Sequence, residues 1–289
     1  MLPERDSYDA LVRDFRWEIP RRFNLADVCC QRWVGRTNKT AILNVLADGE
    51  VACWTYDDLD RKASRLANLF VEKGIRRGDR IAILLPQTPE TAITHLAAWL
   101  CGAVTVPMAI LFGPDALAYR LADSGASLLV TNRQGLEKVS GIRDGLGELR
   151  TILCIDGAGE GADDFHALTA RASDRFDMVD TGPNDPAVMV YTSGTTGPPK
   201  GALHGHRVLL GHLPGVQFSH EFLPRDGDLL WTPADWAWAG GLFNILLPGL
   251  YFGLPVVASI TEKFDPEAAF QLLAEHEIRN TFLPPTALK

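Results

Sequence analysis

Residues 191–201 read Tyr-Thr-Ser-Gly-Thr-Thr-Gly-Pro-Pro-Lys-Gly, directly after the apolar run 187–190, which predicts a buried strand. Glycines let the backbone approach a ligand closely, and successive N–H groups in such a turn form a concave surface that binds anions. Hydroxyl groups donate to phosphate oxygens, and a lysine adds a positive charge. Because a flexible linker would need neither the lysine nor the two prolines, the stretch predicts a phosphate-binding loop.

Two common phosphate-binding patterns do not fit this stretch. The P-loop requires a lysine followed by Ser or Thr, whereas Lys200 follows Pro199 and precedes Gly201. The dinucleotide-binding pattern requires glycines two and then three positions apart, and no glycine lies two positions before Gly194.

The pattern Ser/Thr-Ser/Thr-Gly-Ser/Thr-Thr-Gly-x-Pro-Lys-Gly from Thr192 to Gly201 resembles the signature of the adenylate-forming enzymes, the superfamily of acyl-CoA synthetases and luciferases. From about residue 15 to the end of the chain, further segments resemble this superfamily, and particularly its acetyl- and medium-chain acyl-CoA synthetase branch. They are residues 54–59, 74–80, 99–107, 232–241 and 282–286.

The resemblance implies ATP-dependent activation of a carboxylic acid to acyl-AMP, followed by thioester formation with coenzyme A. ATP, Mg²⁺ and coenzyme A are the implied cofactors, and fatty acid metabolism is the implied context. The residues expected to contact the phosphates of ATP are Thr192, Ser193, Gly194, Thr195, Thr196, Gly197 and Lys200. The residues expected to line the acyl pocket are Trp236, Trp238 and Gly241.

The chain also departs from the superfamily, whose members are about twice as long. The Tyr-Gly-x-Thr-Glu segment, the aspartate that holds the ribose, the hinge and the C-terminal domain with its catalytic lysine are absent up to Lys289. The expectation is therefore an incomplete N-terminal domain that is inactive alone and contains no catalytic residue that can be named with certainty. Three alternatives remain: a non-catalytic nucleotide-binding or partner module, a phosphotransferase that uses the same loop, and a folding fragment.

Strand-like and helix-like segments alternate along the chain, which predicts an α/β fold of layered, mostly parallel sheets flanked by helices. A polar, Gly- and Asp-rich segment at 157–184 predicts two lobes, residues 1–180 and 181–289. Helix starts are predicted at a Thr55–Asp58 capping box and at Asp265. Residues 240–251 read as one apolar helix.

Composition restricts the partners. The formal net charge is −8, from 28 basic and 36 acidic residues, which argues against non-specific binding of nucleic acid or anionic membranes. The five cysteines show no Cys-x-x-Cys spacing, which indicates neither a disulfide framework nor a zinc site. We expect a cytoplasmic protein whose partner is a small carboxylic acid and which could form homo-oligomers.

Several polar residues have a structural interpretation. The nearby histidines lack a carboxylate partner at a fixed spacing, so no metal site is expected; they are His204, His206, His212 and His220. His206 is expected to pack behind the phosphate loop. Asp235 is expected to be a turn or helix-capping residue.

Overall fold

A computed structural model describes residues 1–36, 38–192, 197–260 and 263–288. Their strands are β1 (Thr40–Val45), β2 (Val51–Thr55), β3 (Arg80–Leu84), β4 (Val104–Pro107), β5 (Ala126–Thr131), β6 (Thr151–Cys154), β7 (Asp163–Asp164), β8 (Pro186–Thr192), β9 (Lys200–Gly205), β10 (Leu230–Trp231), β11 (Val256–Ser259) and β12 (Asn280–Thr281).

The α-helices of the described residues are α1 (Tyr8–Asp14), α2 (Leu25–Cys29), α3 (Tyr56–Glu72), α4 (Pro89–Leu100), α5 (Pro114–Ser124), α6 (Arg133–Ser140), α7 (Phe165–Thr169), α8 (Val208–Ser219), α9 (Ala239–Gly241), α10 (Leu247–Phe252) and α11 (Pro266–Glu275). A π-helical turn at Leu242–Leu246 joins α9 to α10. In the part of the chain that the structure describes, every helix is too short or too polar to cross a bilayer.

The strands form two sheets. Within the described residues, one sheet has the order β7-β6-β5-β3-β4-β8-β9 and the other β12-β10-β11-β1-β2. Neighbouring strands are parallel except at two edges, where β9 runs antiparallel to β8 and β2 antiparallel to β1. The prediction of mostly parallel sheets flanked by helices is confirmed.

Strand β3 shows why helices cover both faces of the larger sheet. Its apolar residues are all buried, and their side chains alternate between two separate cores. Ile81 and Ile83 belong to the main core, whereas Ala82 and Leu84 belong to a second core on the opposite face. A strand buried on both faces is typical of parallel sheets with helices on each side.

Two helix starts agree with the sequence. The Thr55 hydroxyl accepts from the Asp58 backbone N–H at 3.1 Å, and the Asp58 carboxylate accepts from the Thr55 N–H at 3.0 Å, which completes the capping box. The Asp265 carboxylate accepts from Glu267 and Ala268 at the start of α11. Local sequence therefore determines where these helices begin.

The two sheets do not separate at residue 180. Strands β8 and β9 follow that position but extend the sheet of β3–β7, whereas β1 and β2 precede it but pair with β11. The segment around residue 180 is held in place because Phe23 and Thr181 exchange two hydrogen bonds of 2.9 Å. The division of the chain into lobes 1–180 and 181–289 stays a prediction.

Candidate functional site

The predicted phosphate loop closes a β-hairpin. Thr192 at the end of β8 lies opposite Lys200 at the start of β9, and Tyr191 lies opposite Gly201. Thr192 and Lys200 are both exposed. The sequence predicted β8 but not β9, because two glycines and a histidine within Lys200–Gly205 mask the strand pattern.

Gly197 belongs to the described part of the loop and has a left-handed backbone conformation. Gly197 has φ of +86°, a conformation that glycine adopts readily and other residues rarely adopt. The other predicted phosphate contacts, Ser193, Gly194, Thr195 and Thr196, lie outside the described residues.

Strand β8 ends at the carboxyl edge of the larger sheet, directly before the predicted loop. Strand β8 is parallel to β4, which is parallel to β3, so the segments that follow these three strands meet at one edge. Gln87, which follows β3, joins this edge to the smaller sheet, because its Nε2 donates to Thr232 O at 2.9 Å and to Ala234 O at 2.8 Å. Ligands of open parallel sheets bind at such an edge.

Helix α5 holds the base of the hairpin. Tyr119 Oη donates to Pro199 O at 2.9 Å, and Tyr191 Oη donates to the Asp123 carboxylate at 2.6 Å. Burial, together with the bond to Asp123, raises the pKa of the Tyr191 phenol well above its ordinary value. These contacts could not be predicted from the sequence, because their partners are 80 and 68 residues apart in the chain.

The two tryptophans of the aromatic segment lie in different surroundings. Trp236 is fully buried in the main core, and its indole Nε1 has no hydrogen-bond partner among the described residues. Trp238 is 43% exposed, and it forms a T-shaped contact with the Phe112 ring, at 5.5 Å between centroids and 82° between planes. Of the two, Trp238 is therefore the one that is accessible to a ligand.

Gly241 is a site of close contact between segments of the chain. A Cβ added there would lie 2.6 Å from Asp235 O and 2.7 Å from Ala234 O. A Cβ at neighbouring Gly240 would lie 2.6 Å from the Phe282 ring. The glycine at position 241, the last residue of α9, thus allows this helix to pack against the segment 234–235.

Asp235 is a turn residue, as the sequence predicted. Its Oδ1 accepts from the Ala237 N–H at 2.9 Å, and its own carbonyl accepts from the Trp238 N–H at 3.0 Å. Burial raises the pKa of the Asp235 carboxyl to about 6, although hydrogen bonds from two backbone N–H groups oppose the shift. The carboxylate therefore fixes the turn that carries Trp238.

The apolar helix predicted for residues 240–251 is not regular. Its middle, Leu242–Leu246, is π-helical, and α10 begins immediately after it with Pro248 in its first turn. Proline has no N–H, and its ring collides with the carbonyl four residues earlier in an α-helix, so a wider turn before it relieves the conflict. The sequence signal for this break was Pro248 itself.

The histidines have structural partners. His206 is fully buried, and its Nδ1 accepts from the Leu25 N–H at 3.1 Å. It follows β9, at the opposite end of the hairpin from the loop, so the expectation that it packs behind the loop was wrong. His204 and His212 both pack against the Phe243 ring. Among the residues that the structure describes, no group of three or more His, Cys, Asp or Glu side chains could hold a metal ion.

Comparisons with known proteins point to one family. The family model described as "AMP-binding enzyme" matches residues 30–289. Acetyl-coenzyme A synthetase of Desulfatibacillum aliphaticivorans is 29% identical over 96% of this chain and 46% of its own length. The mitochondrial acyl-coenzyme A synthetase ACSM3 of Mus musculus is 26% identical over 98% of this chain and 50% of its own length.

A solved structure shows the same fold. The crystal structure of Brucella canis acyl-CoA synthetase superposes with a TM-score of 0.87 at 30% sequence identity, covering 98% of this chain and 53% of that chain. The present chain thus spans about half the length of the curated relatives it matches.

Proposed function

This chain belongs to the AMP-binding enzyme family, and we propose that it supplies the ATP-phosphate site and part of the acid site of an acyl-CoA synthetase. In the proposed reaction, the carboxylate of the acid attacks the α-phosphate of ATP. The bond from the α-phosphate to the β-phosphate breaks, so pyrophosphate leaves and acyl-AMP forms. The thiol of coenzyme A then displaces AMP and gives the thioester.

The observation that supports this proposal is the hairpin loop between Thr192 and Lys200 at the carboxyl edge of the larger sheet. We propose that its N–H and hydroxyl groups, including those of Ser193, Gly194, Thr195 and Thr196, bind the β- and γ-phosphates. Donors that are already in place stabilise the charge that develops on the leaving group. The Lys200 ammonium adds a positive charge at the end of the loop.

Mg²⁺ is proposed to enter as its complex with ATP. This ion usually keeps several waters and binds substrate phosphates together with only one or two protein groups. The described part of the site fits such a weakly held ion, because it offers the exposed Thr192 hydroxyl but no cluster of metal-binding side chains. The ion would neutralise phosphate charge when bound.

The acid is proposed to bind beside the segment 232–241. Trp238 provides an accessible aromatic surface. Trp236 would support Trp238 and its neighbours from the core, and Gly241 would keep α9 close to the segment 234–235. A role in fatty acid metabolism, a cytoplasmic location and a homo-oligomeric state are further parts of the proposal.

Acid-dependent exchange between pyrophosphate and ATP tests the proposal, measured on the longest product that the coding region encodes. Lys200→Ala should lower the exchange rate roughly 10²-fold, as for the loss of one donor to a developing negative charge. Lys62→Ala, at an exposed position of α3, is the matched control and should leave the rate unchanged. An unaltered rate in Lys200→Ala would exclude the proposed role of this lysine.

The second candidate is a non-catalytic nucleotide-binding or partner module made of this half-enzyme, in which the loop between Thr192 and Lys200 would bind phosphate without a reaction. The two candidates give different results with the 289-residue chain. Binding of ATP without any acid-dependent exchange supports the module, whereas exchange supports the ligase. Formation of ADP instead of AMP would indicate a phosphotransferase.

A further inference from the structure

Between the hairpin and Trp238 lies a buried cation for which the described residues provide no counter-ion. Arg120 on α5 is only 9% exposed, and it forms no ion pair with any described carboxylate. Its Nη1 donates to Ala116 O at 2.8 Å, whereas its buried Nε has no partner in the described parts of the chain. A buried charge costs free energy unless other groups compensate it, so the groups around Arg120 must stabilise its positive charge.

Two aromatic rings take the place of the counter-ion. The guanidinium carbon of Arg120 lies 4.1 Å from the centroid of the Phe112 ring and 5.7 Å from that of Tyr191. A planar guanidinium over a ring face is attracted by the negative charge of that face, and more strongly where water is excluded. The cation therefore fixes the plane of Phe112 relative to Tyr191, the residue before Thr192.

Phe112 contacts both Arg120 and Trp238. It lies in the segment between β4 and α5, and it meets the exposed Trp238 ring in an edge-to-face contact at 5.5 Å. The contacts thus run from Tyr191 through Arg120 and Phe112 to Trp238. They connect the base of the phosphate loop with the aromatic ring of the acid site.

We infer that Phe112 and Arg120 are positioning residues that hold Trp238 at a fixed place relative to Tyr191 at the base of the hairpin. The consequence for the reaction rests on the proposed function. The acid carboxylate must lie about 3–3.5 Å from the phosphorus atom it attacks, so a small displacement of the acid slows the reaction. Loss of either residue should therefore impair use of the acid and leave ATP binding intact.

The position of Trp238 can be measured without any activity. The chain contains seven tryptophans, and 5-fluorotryptophan labelling gives each of them a ¹⁹F resonance. Trp238→Phe identifies the resonance of interest. Phe112→Leu, Arg120→Met and the conservative Arg120→Lys are compared with Phe270→Leu, whose exposed parent residue on α11 provides the matched control.

Phe112→Leu and Arg120→Met should shift or broaden the Trp238 resonance, Arg120→Lys should do so less, and Phe270→Leu should leave it in place. An unchanged Trp238 resonance in Phe112→Leu would overturn the inference. This variant decides the question even if Arg120→Met fails to fold, because Phe112 is a half-buried residue of a connecting segment.

Kinetics on the longest encoded product separate this inference from the proposed function. KM for the acid should rise roughly 2- to 10-fold in Phe112→Leu, the range for the loss of one aromatic pair, while KM for ATP stays constant. If the Trp238 resonance shifts while KM for the acid stays unchanged, Phe112 and Arg120 position Trp238, but Trp238 does not belong to the acid site. A rise in KM for ATP alone would contradict the inference.

Discussion

Replacement of Gly241 by alanine is the sharpest test of how the site is packed. The new Cβ would lie 2.6 Å from Asp235 O, which is 0.8 Å closer than the 3.4 Å at which ordinary contact begins. Its neighbours are backbone atoms, and both carbonyls already accept hydrogen bonds. Ala234 O accepts from Gln87 Nε2 at 2.8 Å, and Asp235 O accepts from the Trp238 N–H at 3.0 Å. Relief of the collision therefore stretches these bonds.

The expected cost follows from three contributions. Overpacking typically costs about 1–3 kcal/mol, and each weakened hydrogen bond costs about 1 kcal/mol. Alanine regains about 0.5–1 kcal/mol because it loses less backbone entropy than glycine in a helix. Gly241→Ala should therefore lower the free energy of unfolding by about 2–4 kcal/mol.

Denaturant unfolding of the 289-residue chain measures this loss. Gly211→Ala is the matched control, because Gly211 also lies in a helix and no atom outside the backbone of that helix and the two neighbouring residues lies within 4 Å of its added Cβ. That variant should be as stable as the original chain or about 1 kcal/mol more stable. Equal stability of the two variants would refute the packing argument. A shortened range of accepted acids in a fully stable Gly241→Ala would instead show that this glycine leaves space for the ligand.

Two further predictions concern helix capping and pH. Thr55→Ala removes one half of the capping box of α3 and should destabilise the chain by about 1 kcal/mol in denaturant unfolding; equal stability would mean that the cap contributes nothing. The pKa of Asp235 is raised from 3.8 to about 6 in the folded chain. At pH values between these two pKa values, the carboxyl is therefore protonated to a greater extent in the folded state than in the unfolded state. The contribution of this carboxyl to stability is thus present at low pH and is lost as the pH rises from about 4 to about 6. The free energy of unfolding of Asp235→Asn should therefore fall less over this pH range than that of the original chain. Identical pH profiles of the two proteins would contradict the raised pKa of Asp235.

The sequence predicted those features that depend on neighbouring residues. The loop pattern at residues 191–201 is local, and its role in binding phosphate stays a prediction. The capping box at Thr55 and the start of α11 at Asp265 are also local and are confirmed, and the alternation of strands and helices indicated the parallel α/β class. These predictions succeed because turn chemistry and helix capping act over a few residues of chain.

The arrangement of the site depends on contacts between distant segments. Strand β9 exists because β8 pairs with it, although its own sequence contains two glycines. Trp236 and Trp238 are two positions apart, yet only packing decides that the first lies in the core and the second is accessible.

Sequence thus determined the residue types of the loop, from which its phosphate binding is predicted, and tertiary structure decided what surrounds the base of the hairpin. From the sequence alone, Arg120 cannot be distinguished from an ordinary surface residue of a helix. Its burial between the rings of Phe112 and Tyr191 arises only when α5 packs against the hairpin. Burial and cation–ring contacts are properties of the packed chain, because they depend on which side chains exclude water together.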